Sequence, residues 1–417
     1  MVRIRHAARR IVASPPTKME ISMRRKPLFV CLNAFCLALL SPGPAFTQTP
    51  EATSKNTALA AYVYVQTSKG VNLYDANAAG GLTLVKGSPF AVTGLMSADN
   101  GKYLISVGTD NIHTYKIESD GAVGKQAAEI DTQKYSGAKC GTNYGQPGLL
   151  DHTGTHLYVS LSSGIDGNPF PLCGAVQTYK LASNGELTFL GDTESFLGQH
   201  EGAFPIAVST ISSNDKFGYS ALSQIYASTF LAFKADTNGA LLQDGSFSEV
   251  DPTPDPSIPD GNYFPMAMAA DPASHLAVLM NEPFTNVNTS PQLASYTISD
   301  TTGAIVSTNS WADMPTPQLN PGLLQMSPSG KLLVVIGQFG LQIFYFNGAA
   351  PITSYSGVLL PNVSVDQVTW DNSNHLYALS NLSGELYGFT VTPTSINEVA
   401  GSPYKIPGLT GMIVVPK

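Results

Sequence analysis

From residue 58 to residue 417 the apolar positions do not recur at the 3.6-residue spacing of an amphipathic helix. They fall in short runs of Tyr, Val, Leu and Phe between clusters of Gly, Asn, Asp and Pro, the pattern of β-strands joined by tight turns. One run, Tyr62 to Val65, is matched by others that start at Tyr103, His156, Phe217, His275, Lys331 and His375. Each is followed, after a turn, by a run with a central aromatic: Tyr74, Tyr115, Tyr179, Phe233, Tyr296, Phe344 and Phe389. With an apolar strand before and a glycine-opened strand after, the unit has four strands, A to D, and recurs every roughly 40 to 60 residues as propeller blades do. The pattern therefore predicts an all-β chain, a seven-bladed β-propeller of four-stranded blades. The first unit lacks a strand A, and Leu409 to Val415 is a lone apolar strand. That strand is expected to complete blade 1 and so remove the open sheet edges. A β-sandwich has similar strand spacing but predicts neither seven matched units nor an orphan final strand.

The start of the chain follows another pattern. Met23-Arg24-Arg25-Lys26, an apolar run from Leu28 to Leu40 and the helix-breaking Ser41-Pro42-Gly43-Pro44-Ala45 read as a secretory signal. Residues 1–47 are assigned to this signal region, with Met23 the better start and cleavage after Ala45 or Thr47; 48–57 form a short linker and 58–417 the propeller. The other reading of the apolar run is a buried N-terminal helix. It is too short for a membrane span, which needs about 20 residues. The expected location is secreted or periplasmic.

Removing the signal changes the electrostatics, because all six arginines lie within the first 25 residues. From residue 48 onward 14 lysines face 29 carboxylates, a formal charge of −15. Nucleic-acid binding needs clustered cations to neutralise phosphates, so that partner class is excluded, and anionic membranes are disfavoured. A monomer is expected. The two cysteines beyond the signal, Cys140 and Cys173, form an even pair in an exported chain and are expected to be bridged.

Gly81-Leu82-Thr83-Leu84 with Gly87-Ser88-Pro89-Phe90, Gly185-Glu186-Leu187-Thr188, Ser327-Pro328-Ser329-Gly330-Lys331 and Gly401-Ser402-Pro403-Tyr404 together resemble the turn chemistry of the lactonase-like seven-bladed propellers. The resemblance spans about residues 58 to 417. It implies the fold, and a family that includes 6-phosphogluconolactonases and muconate-lactonising enzymes. Those enzymes carry Gly-Pro-Arg-His at the start of a mid-ring strand A. Here the matching starts read Phe204-Pro205-Ile206-Ala207 and Phe264-Pro265-Met266-Ala267, whereas Asn281-Glu282 matches the family's Asn-Glu after the following strand B. Without arginine there is no bidentate clamp for a phosphate or carboxylate, so the 6-phosphogluconolactonase and muconate cyclase activities are disfavoured.

Alternating strand direction puts the B-to-C turns and the D-to-A connections on one face, the top. The long segments there cluster over blades 3 to 5, and long loops on a rigid scaffold are where binding usually lies. His200 and Glu201, with Glu282 and Asp260 in neighbouring loops, are the candidates for a general base or a metal ligand; the competing reading is solvated polar loop residues. Phe204, Phe264, Phe284, Asn281 and Asp260 are candidate ligand contacts, the aromatics either lining an apolar groove or pinning the loops down. Asp251, Asp255 and Asp260 form an acidic loop that offers oxygen ligands to calcium but lacks the spacing of a calcium hand, and no other cofactor is expected. His152, His156, His275 and His375 fall in or beside A-to-B turns on the opposite face and read as structural. Two functions follow: a lactonase-like hydrolase of a small neutral lactone or sugar derivative, or a non-catalytic propeller that binds glycan or protein partners through its top-face loops.

Overall fold

The computed structural model describes residues 58–135, 148–164, 171–195, 208–223, 228–257, 263–281 and 290–417. They form seven antiparallel sheets of four strands, with extra short strands on blades 5 and 7, and one 3-10 turn at Thr132–Lys134. Strand B occupies Leu59–Thr67, Tyr103–Val107, His156–Gly164, Phe217–Ser223, His275–Asn281, Leu332–Gly337 and His375–Ser380 in blades 1 to 7. The seven expected aromatics all lie on strand C, and each faces the second position of the strand B core in its own blade, as Tyr74 faces Val63 and Phe344 faces Leu333.

Leu409–Pro416 pairs antiparallel with Leu59–Thr67 from Ala61 to Thr67, so the last strand of the chain is the inner strand of blade 1. Met412, Ile413, Val414 and Val415 are buried there between blades 7 and 2. Strands A of blades 7, 1, 2 and 3 contact one another in turn, as do those of blades 4, 5 and 6, which makes strand A the wall of the central channel.

One contact recurs around the ring and explains how separate sheets become one body. The side chain that opens strand B packs on the glycine of the next blade's C-to-D turn. A Cβ at Gly121, which has φ +82°, would fall 2.5 Å from the Tyr62 ring, so only glycine allows the approach. Tyr103 on Gly185, His156 on Gly239, Phe217 on Gly303, His275 on Gly348 and His375 on Gly80 repeat it. Two residues further along strand B, Tyr64, Tyr158, Tyr219 and Tyr377 donate their hydroxyls to the carbonyls of Gly121, Gly239, Gly303 and Gly80. Burial pushes the ionisation of all four phenols well up, so they stay neutral donors.

Three A-to-B turns are tied by an Asp–His pair. In blade 7 the Asp371 carboxylate accepts the backbone N–H groups of Ser373 and His375 through Oδ1, while Oδ2 lies 2.6 Å from His375 Nδ1. Asp271 with His275 and Asp151 with His156 build the same turn. These histidines sit on the face opposite the B-to-C turns, each held by its carboxylate and seated on a glycine.

The Gly-Ser-Pro motif has a mechanical role of its own. Ser88 Oγ accepts the backbone N–H of Leu73, and Ser402 Oγ accepts that of Gly388, so a side chain continues the strand C ladder where strand D has ended. Phe90 and Tyr404 then rejoin strand C, through Val71 and Leu386.

Candidate functional site

The top mouth of the channel is shaped by backbone register. In blades 1, 2, 5 and 6 one extra residue is inserted near the start of strand A, at Thr410, Ser97, Met266 and Gly322, where the pairing with strand B slips by one. Such bulges turn a side chain out of the alternating pattern, which is why they occur beside binding sites. Here they turn Met266 into the exposed set, while Thr410 and Ser97 line a cavity of about 280 Å3.

That cavity lies where blades 6, 7, 1 and 2 meet at the mouth. Met96, Val107, Leu379 and Leu323 provide its apolar wall, and Gln66, Gln367, Asp366 and Asn381 its polar groups. The amides are preorganised. Gln66 donates from Nε2 to the Gly94 carbonyl at 2.6 Å and accepts the Met96 N–H at 2.8 Å, which joins blade 1 to blade 2. Gln367 donates to the Met412 carbonyl at 2.8 Å and accepts the Met412 N–H at 2.9 Å, joining blade 7 to blade 1. Each amide keeps a second N–H and a second lone pair beyond these bonds.

Asp366 is the carboxylate at this mouth. Its own N–H bonds the Leu379 carbonyl, and its Oδ2 accepts the Asn381 N–H at 2.7 Å, so backbone groups hold it at both ends. The side chain is exposed, and among the described residues no cation lines the cavity. The arrangement suits an uncharged ligand with hydroxyl or carbonyl oxygens, beside one carboxylate positioned to take a proton from water.

The sequence-derived candidates are placed as follows. Phe264 opens strand A of blade 5, half-buried, and its register partner is Asn281 at the end of strand B. Asp251 accepts the Tyr296 hydroxyl at 3.0 Å, and burial raises its carboxyl above the usual range. Asp255 accepts the Ser257 N–H at 2.8 Å. Among the described residues no group of three or more His, Cys, Asp or Glu side chains could hold a metal. His200, Glu201, Phe204, Asp260, Glu282, Phe284 and Cys140 lie outside the described residues, while the backbone of Cys173 lies in strand C of blade 3.

Gln66, Asp366, Gln367, Asn381 and Thr410 escaped sequence reasoning, which followed loop length. The trace they leave in the sequence is that polar residues, Asp366-Gln367 and Thr410, stand at the starts of strand A in blades 7 and 1, where the folded ring brings them to the cavity.

Comparison with solved structures agrees with this architecture. A candidate 6-phosphogluconolactonase from Bacteroides fragilis superposes with a TM-score of 0.58, covering 88% of this chain and 100% of its own at 12% identity. The chain shares the seven-bladed β-propeller fold of that protein. A second such protein, from Bacteroides uniformis, gives a TM-score of 0.56 at 12% identity over 85% of this chain and 99% of its own. The periplasmic gluconolactonase of Pseudomonas aeruginosa gives 0.50 at 12% identity, again over 85% and 99%. No protein-family model and no curated protein matches the sequence. Identity this low carries the fold alone, so the chemistry rests on the mouth of this propeller.

Proposed function

We propose that this lactonase-like propeller is an exported hydrolase of a small uncharged lactone or sugar derivative, acting at the top mouth of its channel. The observation that carries the reading is Asp366, a carboxylate fixed by the Asn381 N–H at the edge of a cation-free cavity lined by amides. In this reading the amides of Gln66 and Gln367 orient the ring oxygens, and Asp366 removes a proton from the water that attacks the ester carbonyl. The tetrahedral intermediate collapses with cleavage of the ring C–O bond, and the released hydroxyl takes back a proton. The periplasmic gluconolactonase among the structural neighbours supports the substrate class. The absence of arginine beyond residue 25 supports a substrate without phosphate.

The test is pH-stat hydrolysis of glucono-1,5-lactone, γ-butyrolactone and δ-valerolactone by the protein and by Asp366→Asn. Turnover should fall about 100-fold or more in the variant, as loss of a general base does, with thermal stability unchanged. Turnover of no lactone, or equal turnover by Asp366→Asn, refutes the reading. The second reading, non-catalytic binding of a glycan or protein, is favoured by the exposed apolar side chains Phe339 and Leu382 on top-face turns.

A further inference from the structure

We propose that the top face between blades 5 and 6 carries a separate binding site for a neutral saccharide, with Phe339 as its stacking platform. The groove has a volume of about 690 Å3, within the range of small-molecule sites, and among the described residues no charged one lines it.

One wall is the extended connection into blade 6, residues 316–321. Burial alternates strictly along it: Pro317, Leu319 and Pro321 point inward, while Thr316, Gln318 and Asn320 are exposed. Period-two alternation puts these three polar side chains on one side, spaced roughly 6 to 7 Å apart along the chain. A hydroxyl and two amides in a row supply both donors and acceptors, as a polyhydroxylated ring requires and as an apolar peptide does not. The segment is firmly placed. Pro315 accepts the Leu293 N–H at 3.0 Å, and the Gln318 N–H bonds Gln342 Oε1 at 2.9 Å. The side-chain amide of Gln318 is left for a ligand.

The end of the groove is the tight B-to-C turn of blade 6, where Phe339 is 53% exposed. The exposed Phe339 ring stands beside the polar row of residues 316–320 and lines the same groove. The turn that holds it is rigid. Asn320 Nδ2 donates to Gln338 Oε1 at 3.0 Å, and the Asn320 carbonyl accepts the Gln338 N–H at 3.2 Å. The backbone of residue 320 presses on Gly337 so closely that a Cβ there would overlap the Asn320 carbonyl. A flat apolar face fixed beside a row of neutral hydrogen-bonding groups matches a pyranose ring, which has an apolar C–H face and a polar hydroxyl edge.

The site adjoins the channel mouth, since Leu323, two residues beyond Pro321, lines the channel cavity. It shares no residue with that cavity, and it rests on the glycan-binding reading, not on the lactonase reading.

The experiment is calorimetric titration of the full chain with cellohexaose, maltohexaose, xylohexaose and laminarihexaose, with oligogalacturonate as an anionic control. At least one neutral hexasaccharide should bind, and Phe339→Ala should weaken it at least tenfold while Phe339→Trp retains it. Gln318→Ala should weaken it severalfold, with the thermal midpoints of all variants unchanged. Absence of binding across the neutral panel, equal binding by Phe339→Ala, or preference for oligogalacturonate overturns the proposal. Loss of binding in Asp366→Asn with retention in Phe339→Ala would move the saccharide to the channel cavity and overturn it as well.

Discussion

The inter-blade tyrosines allow a graded test of what holds the ring together. Tyr64, Tyr219, Tyr377 and Tyr158 make the same bond, hydroxyl to the carbonyl of the next blade's turn glycine, at 2.6, 2.8, 3.1 and 3.4 Å. Each Tyr→Phe change removes one oxygen and leaves the ring packing in place, so the loss reports the hydrogen bond. A buried bond of this kind is worth about 0.5–1.5 kcal/mol net, and a carbonyl left unpaired adds about 1–3 kcal/mol. The first three bonds are buried, so Tyr64→Phe should cost about 2–3 kcal/mol, with Tyr219→Phe close behind and Tyr377→Phe smaller. The Tyr158 bond is long and only part-buried, and its loss should cost less than about 1 kcal/mol. Urea unfolding followed by tryptophan and far-ultraviolet signals gives the four values from shifts in midpoint at constant slope. If Tyr158→Phe costs as much as Tyr64→Phe, or all four lie within about 0.3 kcal/mol, these hydroxyls do not carry the blade contacts.

Two further expectations follow from single residues and strands. Deleting residues 408–417 removes the inner strand of blade 1 and its buried Met412, Ile413, Val414 and Val415, at about 1.5–3 kcal/mol each. That is comparable to the whole stability of a domain, so soluble yield should collapse into aggregate; a soluble product with an unchanged melting curve would refute ring closure by this strand. Asp99, at the end of strand A in blade 2, has its carboxyl pushed up to about 6 by burial, against a favourable bond from the Gly101 N–H. Because its folded pKa exceeds the usual 3.8, the folded state holds the proton longer, and stability should fall as pH rises from about 4 to about 6 and level off above. Asp99→Asn keeps an acceptor for Gly101 and should flatten that window, stabilising the protein by about 1–3 kcal/mol at pH 7; equal pH profiles of the two proteins would show that Asp99 is not strained by ionisation.

Much of this molecule was legible before folding because each blade repeats one local pattern. Tyr62-Val63-Tyr64-Val65 and its six counterparts, the strand C aromatics and the unpartnered Leu409–Val415 run are properties of short segments, and self-similarity counts the blades. Hydrophobic periodicity also suffices to assign the last strand to blade 1, since an unpaired apolar strand must be buried somewhere. The glycines at the C-to-D turns were visible as turn formers, but their closer purpose, to let Tyr62 or His375 of the preceding blade approach, depends on two segments that meet only in the ring.

The mouth of the channel was decided by tertiary structure alone. Gln66 comes from the first blade and Asp366, Gln367 and Asn381 from the last, so they become neighbours only when the ring closes. The one-residue register slips at Ser97, Met266, Gly322 and Thr410 are likewise set by pairing between strands, not by the residues themselves. Loop length, which a sequence displays, pointed to blades 3 to 5 and to Glu201. Glu201 lies outside the described residues, and the described cavity sits over the short turns of blades 6, 7, 1 and 2, where side chains at the starts of strand A converge on the axis. Convergence on an axis is a property of the closed ring, and no single blade contains it.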